Sequence, residues 1–235
     1  MNDLMDTQAS LEAVGPAFAK ETMLKVRGMT RGIIHDIAAR VTPGMVEEDA
    51  VDMAKDILAT HDMVRGWHDV YVRFGTNTLK TFGAPSDPGI VLKETDIFLI
   101  DIGPVWKEWE GDGGETFTVG DNPDMARCGR DACSLFHTVR HKWETEGLSG
   151  KALYDFATAE ALAMGWELNL DLSGHRLADF PHAAVYDGPM MDVDFTPSPL
   201  LWVLEIHIRH PTAGYGAFYE DMLLDDSYFT DRPAA

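Results

Sequence analysis

The segment DIFLIDIGPVW, residues 96–106, constrains this chain more than any other feature. It is an apolar, β-branched run that reads as a strand, yet it carries Asp101. A carboxylate in such a place is costly unless a cation or hydrogen bonds compensate it. Asp112 follows in EGDGGETFTVG (110–120), which reads as the returning antiparallel strand after a short turn. A hairpin can set two such residues side by side. Two anions that close repel unless something positive sits between them. Taken alone, the pair is also explained by an Asp that caps a strand end.

The pattern recurs near the other end of the chain. Glu205 lies in WVLEIHIRH (202–210) and Glu220 in FYEDMLL (218–224), both apolar strands. Glu205, His207 and Arg209 alternate and so share one strand face, while Leu204, Ile206 and Ile208 point the other way. Four carboxylates in paired apolar strands weaken the reading of each as an exposed edge residue. His175 follows a glycine in LSGHRL, a loop position from which an imidazole can reach a metal. His182 lies further along the same stretch.

The surrounding elements are legible by period. Residues 11–40 read as a helix through Met23, Val26, Met29, Ile33, Ile34 and Ile37, ended by the VTPG turn at 41–44. Residues 47–59 form a second helical pattern, HDVYVRFG (68–75) a strand, and 76–89 a Gly- and Pro-punctuated loop. Residues 124–146 and 150–165 read as helices. Helices, hairpin, helices, hairpins is an α+β order. We expect an N-terminal extension over 1–19 and one domain over 20–235.

Charge excludes several function classes. With 39 acidic against 19 basic residues, a net of −20, the surface repels phosphate backbones and anionic lipids. Neither nucleic-acid nor membrane binding is expected. No basic-then-apolar leader and no membrane-length apolar run are present, so a cytoplasmic location is expected. Cys128 and Cys133 are too few for a disulfide framework. HTVRH (137–141) lacks the glutamate of a metalloprotease helix and reads as a solvated face.

Together these segments resemble the pita-bread-fold metallopeptidases: Xaa-Pro dipeptidases, aminopeptidase P, creatinase and methionine aminopeptidases. LIDIGPVWKEWEGDGGETFTVG looks like their strand hairpin with two Asp ligands, and SGHRLADFPHA like their GHxxGxxxH segment. WVLEIHI and GAFYEDMLL look like the strands that carry the two Glu ligands, and RVTPGMVEED like their helix-connecting turn. The resemblance implies a curved antiparallel sheet backed by helices. It implies Asp101, Asp112, His175, Glu205 and Glu220 as ligands of two divalent ions, with manganese, cobalt, iron or zinc suited to such a set. It also implies Glu205 and His182 as catalytic groups, and a metal-activated water that attacks an amide-type bond in a small peptide or small molecule.

Departures from the family pattern bear on the substrate. Phe82 stands where the family places a histidine after its GxN segment, here Gly75 and Asn77. Its D-x-T-R-T reads D-G-G-E-T, so Gly114 replaces a Thr and Glu115 an Arg. Phe218 stands where prolidase-like members carry an Arg. The family's extra N-terminal domain is not expected. We expect Phe82 and Phe218 to wall the pocket and His68, His207 and Arg209 to touch the substrate. The resemblance implies first a dinuclear metal hydrolase of the Xaa-Pro dipeptidase type; these exchanges favour a creatinase-like C–N hydrolase or lyase as the alternative. A scaffold that only binds is the third reading, against which the retained ligands count. A homodimer is compatible with any of them.

Overall fold

The computed structural model describes residues 2–228. Residue 1 of the expected extension and 229–235 of the expected domain lie outside them. Three helices open the chain: α1 (Asn2–Leu11), α2 (Lys20–Ala38) and α3 (Glu47–Thr60). The helix expected over 11–40 is therefore shorter at its start. Gly15 and Pro16 interrupt it, since proline donates no amide and disfavours helix in the residue before it. Within α2, Met23, Val26, Ile33, Ile34 and Ile37 are buried on one stripe, each contributing about 1.5–3 kcal/mol.

The strands follow as β1 (Arg65–Gly66), β2 (Tyr71–Phe74), β3 (Asp96–Ile102), β4 (Pro104–Trp106), β5 (Trp109–Glu110) and β6 (Gly113–Val119). Two long helices come next, α4 (Pro123–Glu146) and α5 (Gly150–Met164), then β7 (Glu167–Leu168), β8 (His175–Arg176), β9 (Trp202–Arg209) and β10 (Gly216–Met222). Asn122 caps α4 by accepting from the amides of Asp124 and Met125, with Pro123 in its first turn. Gly147 ends the helix at φ 63°, a backbone state that favours glycine.

The main sheet runs β2-β3-β6-β10-β9-β7, with β8 also paired to β9. Every pairing is antiparallel. The fold is α+β, as the element order implies. The turn expected between the two Asp residues is longer than a simple turn. β4 and β5 form their own hairpin there and join β1 in a small second sheet. The helices cover one face of the main sheet. Ile33, Ile34 and Ile37 of α2 pack with Phe98, Ile100 and Ile102 of β3. Leu135, Phe136 and Val139 of α4 pack with Leu204, Ile206 and Ile208 of β9. The alternate residues of these strands are thereby turned to the opposite face.

Candidate metal centre

Register places the carboxylates in one lateral row across four strands. Glu205 of β9 faces Glu220 of β10. Glu220 faces Gly114 of β6, and Gly114 faces Asp101 of β3. Asp112 stands just before β6, at the same end of the hairpin. His175 arrives on β8, paired with Val203 of β9, rather than on a loop. All four carboxylate residues are buried. The structure thus brings Asp101, Asp112, His175, Glu205 and Glu220 to one place.

Two histidines meet Asp112. His175 Nε2 lies 2.8 Å from Asp112 Oδ2 and 3.5 Å from Glu205 Oε1. His68 Nε2 lies 3.5 Å from both Asp112 Oδ1 and Asp101 Oδ1. Burial pushes the Asp101 carboxyl up to about 6, against the pull of His68 and with help from Asp112 and Glu205. Burial likewise raises Glu205, and raises Glu220 well above the carboxylate range, with the neighbouring acids adding to the rise. Asp112 goes the other way: burial opposes its ionisation, but hydrogen bonds from His175 and His68 hold it low. Burial would lower both histidines, yet Asp101 and Asp112 outweigh it at His68 and Asp112 does so at His175, raising each to about 9. The cluster needs positive charge, and protons are what it draws in when nothing else supplies it. Glu220 Oε1 is buried with no hydrogen-bond partner. Two overlapping donor groups, His68–Asp101–Asp112 and Asp112–His175–Glu220, are each close enough to hold one ion. Oxygen-rich donors with imidazole fit divalent cations.

The model of metallopeptidase family M24 matches residues 21–224. The chain belongs to this family. The prolidase of Pyrococcus horikoshii OT3 superposes with a TM-score of 0.70 at 15% identity, covering 92% of this chain and 60% of that one. The X-Pro aminopeptidase of Thermotoga maritima MSB8 gives a TM-score of 0.70 at 15% identity, covering 94% and 61%. A His243Ala form of Escherichia coli aminopeptidase P gives 0.64 at 15%, covering 89% and 53%. The likeness shows the M24 pita-bread fold. The chain spans about three fifths of the length of the first two proteins. No curated protein matches it in sequence.

In this M24 chain a cavity of about 590 Å³ opens beside the cluster. Trp67, Phe82, His175, His182 and Glu205 line it, with Asp171, Asp187 and Asp192. His182 is fixed by Glu110, which accepts from its Nδ1 at 2.7 Å and from its backbone amide at 2.9 Å. Its ring stacks on His175 at 5.4 Å. Phe82, 47% exposed, sits at the cavity with its ring 5.5 Å from His68. Phe218 does not line the cavity; it is buried with Leu99 and Leu172. His207 uses both nitrogens within the protein, donating from Nε2 to the Thr78 carbonyl and accepting at Nδ1 from Asn169. Burial lowers it to about 4, so it is neutral. Arg209 closes β9 away from the cavity lining. Glu115 points to the helices and pairs with Arg31 of α2, so its exchange for the family's Arg does not reach the site.

Several residues at the site escaped the sequence reading. Glu110 gave no signal beyond its place before the Asp112 strand. Tyr154 of α5 is not singled out by the sequence, yet its hydroxyl donates to the Glu205 carbonyl at 3.0 Å. The Gly174 amide donates to Glu205 Oε2 at 3.1 Å. Elsewhere, His141, Glu144 and Asp226 approach one another on the surface, all exposed. Both acids there bond Arg140.

Proposed function

We propose that the chain is a hydrolase dependent on two divalent metal ions and acting on an amide-type bond of a small substrate. The observation that carries this reading is the convergence of Asp101, Asp112, His175, Glu205 and Glu220 beside an open cavity. Asp101 and Asp112 would hold one ion and His175 and Glu205 the other, with Asp112 and Glu220 shared. Bound there, such ions supply an activated water and stabilise negative charge that develops on the substrate. Glu205, which lines the cavity, would be the carboxylate that takes up and returns a proton during the reaction. His182, held by Glu110, contacts the substrate from the cavity wall.

Cavity chemistry supports the non-peptidase branch, a creatinase-like C–N hydrolase or lyase, over a dipeptidase. Among the described residues lining it there is no Lys or Arg, while three aspartates and two aromatic rings are present. A free carboxylate binds best through charge-assisted bonds to cations, and this wall offers no Lys or Arg side chain for that purpose. A neutral or amine-bearing substrate suits it better. Manganese, cobalt, iron or zinc as the ions and a cytoplasmic setting, with Cys128 and Cys133 as free thiols, belong to the same proposal. No helix among the described residues is long and apolar enough to cross a membrane.

The test of the metal reading is Asp112→Asn, with metal content measured by elemental analysis after reloading with Mn²⁺ or Co²⁺. The variant should lose most bound metal and all activity while keeping its circular dichroism spectrum. Full metal content and turnover would overturn the assignment. The substrate reading is tested by assaying Xaa-Pro dipeptides against small neutral and cationic amides, before and after Phe82→His. Efficient dipeptide cleavage by the unmodified protein would restore the dipeptidase reading.

A further inference from the structure

His68 falls outside the five ligands that the family resemblance supplies, yet its surroundings copy those of His175. In each ring Nδ1 lies 2.6 Å from the backbone oxygen of the next residue, Asp69 for His68 and Arg176 for His175. A carbonyl only accepts, so in each case the proton resides on Nδ1 and Nε2 is left with its lone pair in the neutral ring. Both Nε2 atoms then face Asp112, His175 toward Oδ2 and His68 toward Oδ1. A bare lone pair aimed at a carboxylate is repulsive unless a proton or a metal ion lies between. Donation of the far N–H to a carbonyl is the arrangement usual for metal-bound histidine.

The spacing is that of donors around a shared ion. His68 Nε2 is 3.5 Å from Asp101 Oδ1 and from Asp112 Oδ1, long for a charged hydrogen bond. Donor atoms that share one ion at about 2.0–2.2 Å stand roughly 3–3.6 Å from one another.

The ring also has a built seat. The His68 side chain is 3% exposed. Gly103, at the end of β3, carries no side chain because a Cβ there would strike the His68 ring and the Trp67 indole. Trp67 lies edge-on to His68 at 4.3 Å and is anchored by donating from Nε1 to the Gly111 carbonyl at 3.1 Å. Phe82 closes the other side. The residue that replaces the family's histidine therefore packs against this one.

We propose that His68 is a sixth protein ligand of the centre, giving the Asp101–Asp112 half an imidazole of its own to match His175 in the other half. The proposal rests on the two-ion reading above. A rival role, an imidazolium that only balances the carboxylates, predicts that His68 is dispensable once a divalent cation is bound.

Titration of the metal-free protein with Co²⁺, followed by calorimetry and the visible d–d spectrum, separates the two. The unmodified protein should take up two equivalents. His68→Ala should keep one near its original affinity and bind the other at least tenfold more weakly, with a changed cobalt spectrum. Unchanged affinity for both ions and an unchanged spectrum would overturn the ligand role and leave the two-ion reading standing. An unmodified protein that binds no cobalt would overturn both. Should His68→Ala fail to fold, proton NMR of the cobalt-loaded unmodified protein decides. The Nδ1–H groups of His68 and His175 are both held on carbonyls, so two strongly shifted exchangeable imidazole resonances are expected. A single one sinks the proposal.

Discussion

At the scale of single residues, two departures from the family pattern turn out to be one packing event. Gly114 stands for a threonine and Phe218 for an arginine, and in sequence the exchanges look unrelated. In the fold a Cβ on Gly114 would strike the Phe218 ring and lie 3.0 Å from Glu220 Oε1. Phe218 cannot swing aside, being 2% exposed against Leu99 and Leu172. Overpacking of this kind costs about 1–3 kcal/mol, so Gly114→Ala should destabilise by that amount. Phe218→Ala alone should cost about 3–5 kcal/mol through the cavity it leaves. The double variant should cost less than the sum by roughly 0.5–3 kcal/mol, read from urea denaturation of the four metal-free proteins. Strict additivity would mean that the two exchanges are independent. The five residues that converge left a trace in sequence because each is a polar interruption of an apolar strand or follows a glycine. His68 and Glu110 left none as ligand or clamp. Their partners come from segments far away in the chain, and only the closed sheet brings these together.

At the scale of elements, the helices and long strands were legible because their periods run over many residues. α4 and α5 begin within a residue of the expected positions, marked by Asn122, Pro123 and Ser149. The β4–β5 hairpin was not legible. Trp106 to Glu110 shows neither period, and pairing with β1 rather than propensity makes it a strand. Helix α4 also settles the two cysteines. Burial pushes the Cys128 thiol up to about 12, and burial with Glu115 nearby pushes Cys133 up to about 11. The thiolate is the reactive form. At pH 8 a free thiol is roughly one quarter thiolate, whereas these would hold about a thousandth or less. Raising the pKa thus slows attack at every pH below it. Aromatic disulfide reagents should leave both thiols almost untouched in the native protein at pH 8. Both should react fully in 8 M urea, at about the rate of a free thiol. Rapid native labelling of either would contradict the packing of α4.

At the scale of the whole molecule, the question is where the working unit begins. The family match starts at residue 21, yet the bonds to the sheet start earlier. Glu12 accepts from Trp202 Nε1 at 2.7 Å, from the Ser198 amide at 2.8 Å and from the Ser198 hydroxyl at 2.7 Å. Gln8 donates to the Thr196 carbonyl, Arg176 donates to the Ala13 carbonyl, and the Gly15 amide donates to Asp179. Trp202 is fully buried on β9, the strand of Glu205, and Arg176 is the neighbour of His175 on β8. The segment before α2 therefore braces the two strands that bring donors to the centre. Removing the Glu12 carboxylate would leave a buried indole N–H without its acceptor, at a cost of about 1–3 kcal/mol. Glu12→Ala should lower the free energy of unfolding by that amount, and deletion of residues 1–19 should lower it further because the bonds of Gln8, Ala13 and Gly15 go with it. A loosely attached extension predicts a change within about 0.5 kcal/mol for Glu12→Ala, as for an ordinary surface substitution. Thermal unfolding of the three proteins without metal separates the two outcomes. An unchanged midpoint in both variants would place the start of the folded unit at α2.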